Sequence, residues 1–285
     1  MQTPDFRPNR RTALGLIGTA LSLPASLPVW AQEASAQESR RPRLDVPYVP
    51  TPQEVVDRML DMAKVTSRDF VMDLGCGDGR MLVTAARKFG ASGFGVDINP
   101  DRILEANDNA KTAGVADKVS FEVRNLFSTP IEKASVLTMY LLPDVNLQLR
   151  PRILKEMKPG SRVVSHAFTM GDWETDQRAQ VGVRDIYFWI VPAQVEGKWT
   201  VREGNDTYAL DLKQTYQKFD GLATVNGAVA KVTGGQLIGD RISFTAEPKN
   251  GRHRIFVGKV DGDKMSVDTA SAADVARDWN ATRAN

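Results

Sequence analysis

Ten residues constrain this chain most: Val71-Met72-Asp73-Leu74-Gly75-Cys76-Gly77-Asp78-Gly79-Arg80. An apolar segment with one carboxylate, residues 70–74, leads into the glycines. Apolar positions at helical spacing, Met81, Leu82, Ala85, Ala86 and Phe89, lead out. The glycines therefore sit at a strand-to-helix turn. Such a turn uses glycine for backbone angles closed to other residues and for close approach of a ligand to bare backbone. The spacing is G-x-G-x-G. It is not the G-x-G-x-x-G of dinucleotide sites, and no Lys-Ser/Thr pair makes it a phosphate loop. A second carboxylate, Asp97, closes the next apolar run, Gly93-Phe94-Gly95-Val96-Asp97. In a parallel sheet that run places Asp97 beside the turn, able to take two hydroxyls of a ribose. A glycine turn without a ligand does not account for Asp73, the turn and Asp97 together.

Together these features resemble the first and second motifs of class I S-adenosylmethionine-dependent methyltransferases. The resemblance implies S-adenosylmethionine as cofactor, bound by Asp73, Gly75, Cys76, Gly77, Asp78, Gly79 and Asp97. Asp73 is expected to orient the turn and to meet the cofactor's ammonium, directly or through water, and Asp78 can do the same. Ile98 is expected over the adenine face. Asn125-Leu126 stands where this class commonly carries an acid and an apolar residue. Asn125 keeps an accepting oxygen but lacks the charge. Tyr48 and Thr51 can reach the methionine end, although Tyr48 reads equally well as a staple onto the following helix.

The chain has 285 residues, room for one large or two ordinary domains. A formal net charge of +2 gives no electrostatic case for a nucleic-acid partner or an anionic membrane surface. The single cysteine, Cys76, excludes an internal disulfide. Its place in the turn favours a small residue against the cofactor over a catalytic thiol. His166 and His253, with that one cysteine, have no metal-site spacing.

The first 31 residues read as a twin-arginine-like secretory signal. Arg10-Arg11 precede an apolar run over 13–27, and Val29-Trp30-Ala31 offers a cleavage site. The run is short and interrupted by Pro24, so an uncleaved membrane anchor is the lesser alternative. Residues 32–46 are polar and Pro-punctuated, a disordered lead-in. The expected location is the periplasm, without stable membrane insertion of the mature chain.

Over 47–193 helical and strand patterns alternate, which predicts a doubly wound, Rossmann-like parallel α/β sheet. Thr51-Pro52-Gln53-Glu54 predicts a capping box on the first helix. A strand over 134–142 places Tyr140 at the mouth of the site, where the resemblance to amino-methylating enzymes implies that it steers an acceptor amine. Another over 162–168 carries His166, a candidate base or a structural residue. Arg80 reads as an ion-pair partner. Over 194–285 short strands separated by Gly-Asn, Asn-Gly, Gly-Gly, Gly-Asp and Asp-Gly pairs predict a small antiparallel β domain, barrel or sandwich. Trp199 and Trp279 are candidates to cap its core, and residues 224–232 read as one strand. Residues 272–285 are polar and assigned no element.

A closer resemblance rests on four motifs: Tyr48-Val-Pro-Thr-Pro52, Asp73-Leu-Gly-Cys-Gly-Asp-Gly-Arg80, Tyr140-Leu-Leu-Pro143-Asp-Val-Asn146 with Leu149-Arg150-Pro151, and Val164-Ser-His-Ala-Phe168 before Met170-Gly-Asp-Trp173. They are similar to a family of small methyltransferases, distantly like the Dot1 enzymes, whose mitochondrial members methylate lysines of the ATP synthase c-ring protein and the adenine nucleotide translocase. The resemblance covers about residues 46–175. It implies methyl transfer to an amine such as a protein lysine, with a membrane or envelope protein as a candidate acceptor. The alternatives are a small-molecule methyltransferase and an exported binding module that keeps the fold without turnover. The mitochondrial members lack the C-terminal β region, which reads as a recognition element or as a passive lid or oligomer surface.

Overall fold

The computed structural model describes residues 48–225, 227–248, 253–268, 276 and 278–284. The expected signal over 1–31 and lead-in over 32–46 lie outside them. Helix α1 (Gln53–Met62) forms because Val55, Val56, Met59, Leu60 and Met62 share one buried face. Its expected capping box does not form. Pro52 is the N-cap and no side chain caps the helix. The Thr51 hydroxyl instead lies 3.2 Å from His166 Nδ1. The Gln53 amide donates to Asp57 and Thr84. A partner 115 residues away has taken the hydroxyl that a local cap needs.

Five parallel strands follow: β1 (Phe70–Leu74), β2 (Ser92–Asp97), β3 (Val119–Val123), β4 (Val136–Met139) and β5 (Arg162–His166). Between them run α2 (Arg80–Thr84), widening into a π-helical turn (Ala85–Phe89), then α3 (Pro100–Thr112) and α4 (Pro143–Glu156). Side chains alternate across the sheet. Val71, Val136 and Val164 pack on one face with residues of α1, α2 and α3. Met72, Leu74, Leu137 and Val163 pack on the other with Val145, Leu149 and Ile153 of α4.

The sheet is mixed rather than all parallel, with order β3-β2-β1-β4-β5-β7-β6. Strands β6 (Gln177–Val181) and β7 (Arg184–Ile190) form an antiparallel hairpin, and β7 runs antiparallel to β5. The cause is the connection. Only Gly182 and Val183 lie between β6 and β7, and a two-residue link joins antiparallel strands but cannot make a crossover. The strand order reverses between β1 and β4, so a crevice opens at the carboxyl ends of these strands.

The second element group is a closed antiparallel barrel, β10-β11-β12-β13-β14-β15-β8-β9, rather than a sandwich. Its strands are β8 (Gly197–Glu203), β9 (Asp206–Thr215), β10 (Lys218–Val225), β11 (Ala228–Ile238), β12 (Arg241–Pro248), β13 (Arg254–Asp261), β14 (Lys264–Val267) and β15 (Trp279–Arg283). The stretch 224–232 is not one strand but the two arms of the β10–β11 hairpin. The polar stretch 272–285 contains β15, which pairs with β8 from Trp279↔Glu203 to Arg283↔Trp199 and closes the barrel.

Aromatic rings fill the barrel interior. Phe244 and Phe256 stack at 4.8 Å, and Trp279 meets both edge-on. Trp199 and Trp279 are buried in this core rather than capping it from outside, and each indole N–H donates to a backbone carbonyl. Arg283 covers the Trp199 ring and donates to the carbonyls of Gln194 and Glu196. Replacing Trp279 by Ala removes the ring that joins the closing strand to the core. The expected cost is about 3–5 kcal/mol in chemical denaturation. A loss below about 1 kcal/mol would mean that β15 is not integral to the barrel.

Candidate functional site

The turn between β1 and α2 has no room for side chains. Gly75, Gly77 and Gly79 all have left-handed backbone, with φ of 77°, 52° and 75°. A Cβ on Gly75 would lie 2.9 Å from Leu141, on Gly77 2.5 Å from the Tyr48 ring, and on Gly79 2.7 Å from the Phe121 ring. Bare backbone thus faces a cavity of about 210 Å³ at the carboxyl ends of β1, β2 and β4.

Two carboxylates frame the turn. Asp97 accepts from the backbone N–H of Gly77 at 3.0 Å and of Asn99 at 2.9 Å. It thereby ties the end of β2 to the turn and holds its own oxygens at the cavity edge. Asp73, at the end of β1, accepts from the Thr138 hydroxyl at 2.7 Å. Burial pushes its carboxyl up to about 7; the Thr138 bond opposes this, and the charges of Asp97 and Asp78 add to it. Asp78 behaves differently. Burial would raise it, but a forked ion pair with Arg80 holds it below the ordinary carboxylate range. Arg80 also donates to the Thr51 carbonyl at 2.8 Å, which fastens the entry to α1 onto the turn. Burial, followed by the charge of Asp73, raises the Cys76 thiol well above its usual value, so this sulfur is no nucleophile.

Part of the wall is aromatic. Tyr140, one residue past β4, and Phe168, two past β5, both line the cavity, with ring centroids 6.3 Å apart and planes 21° apart. The His166 ring lies 3.9 Å from Tyr140 and next to the Thr51 hydroxyl. His166 is buried and is not among the residues lining the cavity. Burial, then the charge of Arg184, lowers its imidazole to about 4, so it is neutral at physiological pH. That position backs Tyr140 and makes His166 a poor base.

Eleven of the twelve residues expected to hold the cofactor line the cavity: Tyr48, Thr51, Asp73 and Asp97 around the turn, Gly75, Cys76, Gly77 and Asp78 within it, Ile98 beyond β2, and Asn125 and Leu126 beyond β3. The side-chain oxygen of Asn125 already accepts from the Phe127 N–H at 2.8 Å, capping the short 3₁₀ turn Leu126–Ser128. A second lone pair remains for a ligand. Gly79 is set back against Phe121 and Ala106 and shapes the turn from behind.

Sequence reasoning passed over Phe168 and Arg102 as site residues; Arg80 is the ion-pair partner it was read as, with Asp78, and also lines the cavity. Phe168 follows His166 across a tight turn, in which Ala167 has φ of 66° and the Phe168 N–H donates to the His166 carbonyl at 2.8 Å. Arg102, within the first turn of α3, lies over the Tyr48 ring at 4.6 Å and lines the cavity. Burial, then the charge of Asp78, raises the Tyr48 hydroxyl, which therefore stays protonated.

The donor set fits S-adenosylmethionine: an acid for the ammonium, an acid for the ribose diol, Ile98 and Leu126 for the adenine faces, and glycines where the cofactor meets the chain. The ANTKMT methyltransferase domain matches residues 73–177. A protein-lysine N-methyltransferase of Saccharolobus islandicus is 49% identical over 137 residues, 48% of this chain and 85% of that one. The lysine N-methyltransferase of Mus musculus that acts on the c-ring protein of ATP synthase is 25% identical over 65% of this chain and 74% of its own length. Among solved structures, an RNA methyltransferase from Salinibacter ruber in complex with S-adenosyl-L-homocysteine is 48% identical, with a TM-score of 0.51, over 52% of this chain and 96% of that one. All three matches take up most of the relative, and two-thirds of this chain or less. The chain belongs to the S-adenosylmethionine-dependent methyltransferases of the ANTKMT-domain family, and S-adenosylmethionine is its cofactor.

Proposed function

We propose that this chain transfers the methyl group to the side-chain amine of a protein lysine. The observation that carries this reading is the aromatic pair of Tyr140 and Phe168, which lines the same cavity as the glycine turn and is backed by a neutral histidine. Bound S-adenosylmethionine supplies a methyl already activated on a sulfonium. The chain has to bring a neutral amine behind it and exclude water. A free lysine loses its proton near ~10.4. An apolar aromatic wall disfavours the charged form and so lowers that value. The Tyr140 hydroxyl or a backbone carbonyl can hold the remaining amine hydrogens. The lysine specificity of the 49%-identical relative supports the same acceptor class.

A nucleobase is the second reading, favoured by the Salinibacter ruber RNA enzyme, because a base also stacks on rings. The net charge of only +2 counts against a nucleic-acid surface. We further infer that the chain acts outside the cytoplasm, on a membrane or envelope protein. Arg10-Arg11, the apolar run after them and Val29-Trp30-Ala31 support this location.

Three experiments test these readings. In calorimetric titration with S-adenosylmethionine, Asp97→Ala should weaken binding at least about tenfold, ~1.4 kcal/mol. The ammonium requires an ionised Asp73, whose carboxyl lies near 7 before binding. Affinity should therefore fall as pH drops from about 7.5 to about 5.5, with a proton released on binding, below the ~7.7–8.0 of a free α-amino group. In Asp73→Asn this pH dependence should vanish; a slope equal to wild type would exclude Asp73 as the ammonium partner. Folding has the opposite sign: a carboxyl raised on folding makes stability fall as pH rises from about 4 to about 7.

For the acceptor, cell fractions incubated with methyl-labelled cofactor should yield protease-sensitive, ribonuclease-resistant label that hydrolyses to methyl-lysine. Label removed by ribonuclease would replace lysine with the nucleobase reading. For location, the tagged full-length chain should fractionate with the periplasm, and the Arg10→Lys, Arg11→Lys variant should stay in the cytoplasm. Cytoplasmic wild type would refute export.

A further inference from the structure

The barrel touches the sheet domain at a place that leads directly to the acceptor wall. The β9–β10 turn presents Tyr216, a non-glycine residue with φ of 55°, and Gln217. Gln214 holds this turn from within the barrel, donating to the carbonyl of Tyr216 at 2.7 Å. On the other side, the Tyr216 ring stacks on Trp173 at 6.0 Å, and its hydroxyl donates to Asp172 at 3.0 Å. The Gln217 amide donates to the Glu174 carbonyl at 2.8 Å, and Lys218 pairs with the Glu174 carboxylate.

The segment so gripped continues back to the site. Arg150 of α4 lies over the Tyr216 ring at 5.3 Å, pairs with Asp172 and donates to the Met170 carbonyl at 2.7 Å. One turn earlier on α4, the buried Asn146 amide donates to the carbonyls of Phe168 and Thr169. Ser165 donates to the same Phe168 carbonyl at 2.7 Å. Phe168 is the cavity residue that faces Tyr140. The match to the ANTKMT methyltransferase domain, residues 73–177, ends before the barrel begins, so Tyr216 lies outside the matched domain.

We propose that Tyr216 is a positioning residue for methyl transfer: through Arg150, Asp172 and Trp173, the barrel sets the placement of Phe168 and with it the acceptor side of the site. This rests on the assignment of the Tyr140–Phe168 wall to the acceptor. The cofactor side shares none of these contacts, so the proposal separates the two halves of the cavity.

The test uses the full chain labelled with fluorophenylalanine, with the Phe168 fluorine resonance assigned by Phe168→Leu. Phe121, packed against the glycine turn, and Phe256, inside the barrel, serve as internal references. Tyr216→Ala should shift or split the Phe168 signal and leave Phe121 and Phe256 in place. Calorimetric affinity for S-adenosylmethionine should stay within about twofold of wild type. Tyr216→Phe, which keeps the ring stack, should lie nearer to wild type. Should Tyr216→Ala lose the native Phe256 signal, Asp172→Ala removes, from an exposed position on the sheet side, the carboxylate shared by Tyr216 and Arg150, and the Phe168 signal should shift in the same direction. A Phe168 signal unmoved in a natively folded variant overturns the proposal, as does a cofactor affinity that falls in step. Unimpaired transfer by Phe168→Leu to the labelled protein fraction would overturn the acceptor assignment alone.

Discussion

The site depends on a turn that excludes side chains. At three alternate positions between β1 and α2 the backbone is left-handed, and at each a methyl group would collide with Leu141, Tyr48 or Phe121. These neighbours come from the mouth of β4, the entry to α1 and the middle of β3. The turn is therefore the point against which three separate parts of the sheet domain are packed. Asp97 completes the arrangement by accepting from the Gly77 N–H, so a residue that can bind ligand also fixes the turn. Structure and binding share one carboxylate here, which leaves little freedom to alter either.

Burial acts on both halves of the cavity in the same sense. It raises Asp73 and lowers His166, in each case towards the neutral form. On the cofactor side this creates an acid that ionises most readily when a cation is beside it. On the acceptor side it creates a wall without a charge to solvate, against which an ammonium is penalised and an amine is not. Arg80 and Asp78 stay charged because they pair with each other, and their pairing serves to anchor Thr51.

What was legible in the sequence was what local chemistry dictates. Glycine spacing, the carboxylates ending β1 and β2, and the alternation of strand and helix all depend on near neighbours in the chain. The capping box at Thr51 misled because His166, 115 residues away, takes the hydroxyl. The reversal of β7 was hidden behind a two-residue link, Gly182-Val183. Strand β15 was invisible because only Trp279 and Ala281 of its five residues point inward, and its partner β8 lies far back in the sequence. Phe168 and Asn146 were within a recognised motif. Their roles became apparent only when α4 and the segment after β5 were seen to share the Phe168 carbonyl.

The pairing of β15 with β8 also bears on how the protein is made. Trp199 meets Arg283 across that seam, so the barrel has two open edges until the ribosome has released residues 279–283. The sheet domain has all its strands by Ile190 and can form while the rest is still being translated. A chain cut short before β15 would present β14 and β8 as unpaired strand edges beside a finished catalytic domain, a ready template for aggregation. Barrel closure therefore has to wait for its last strand to be made.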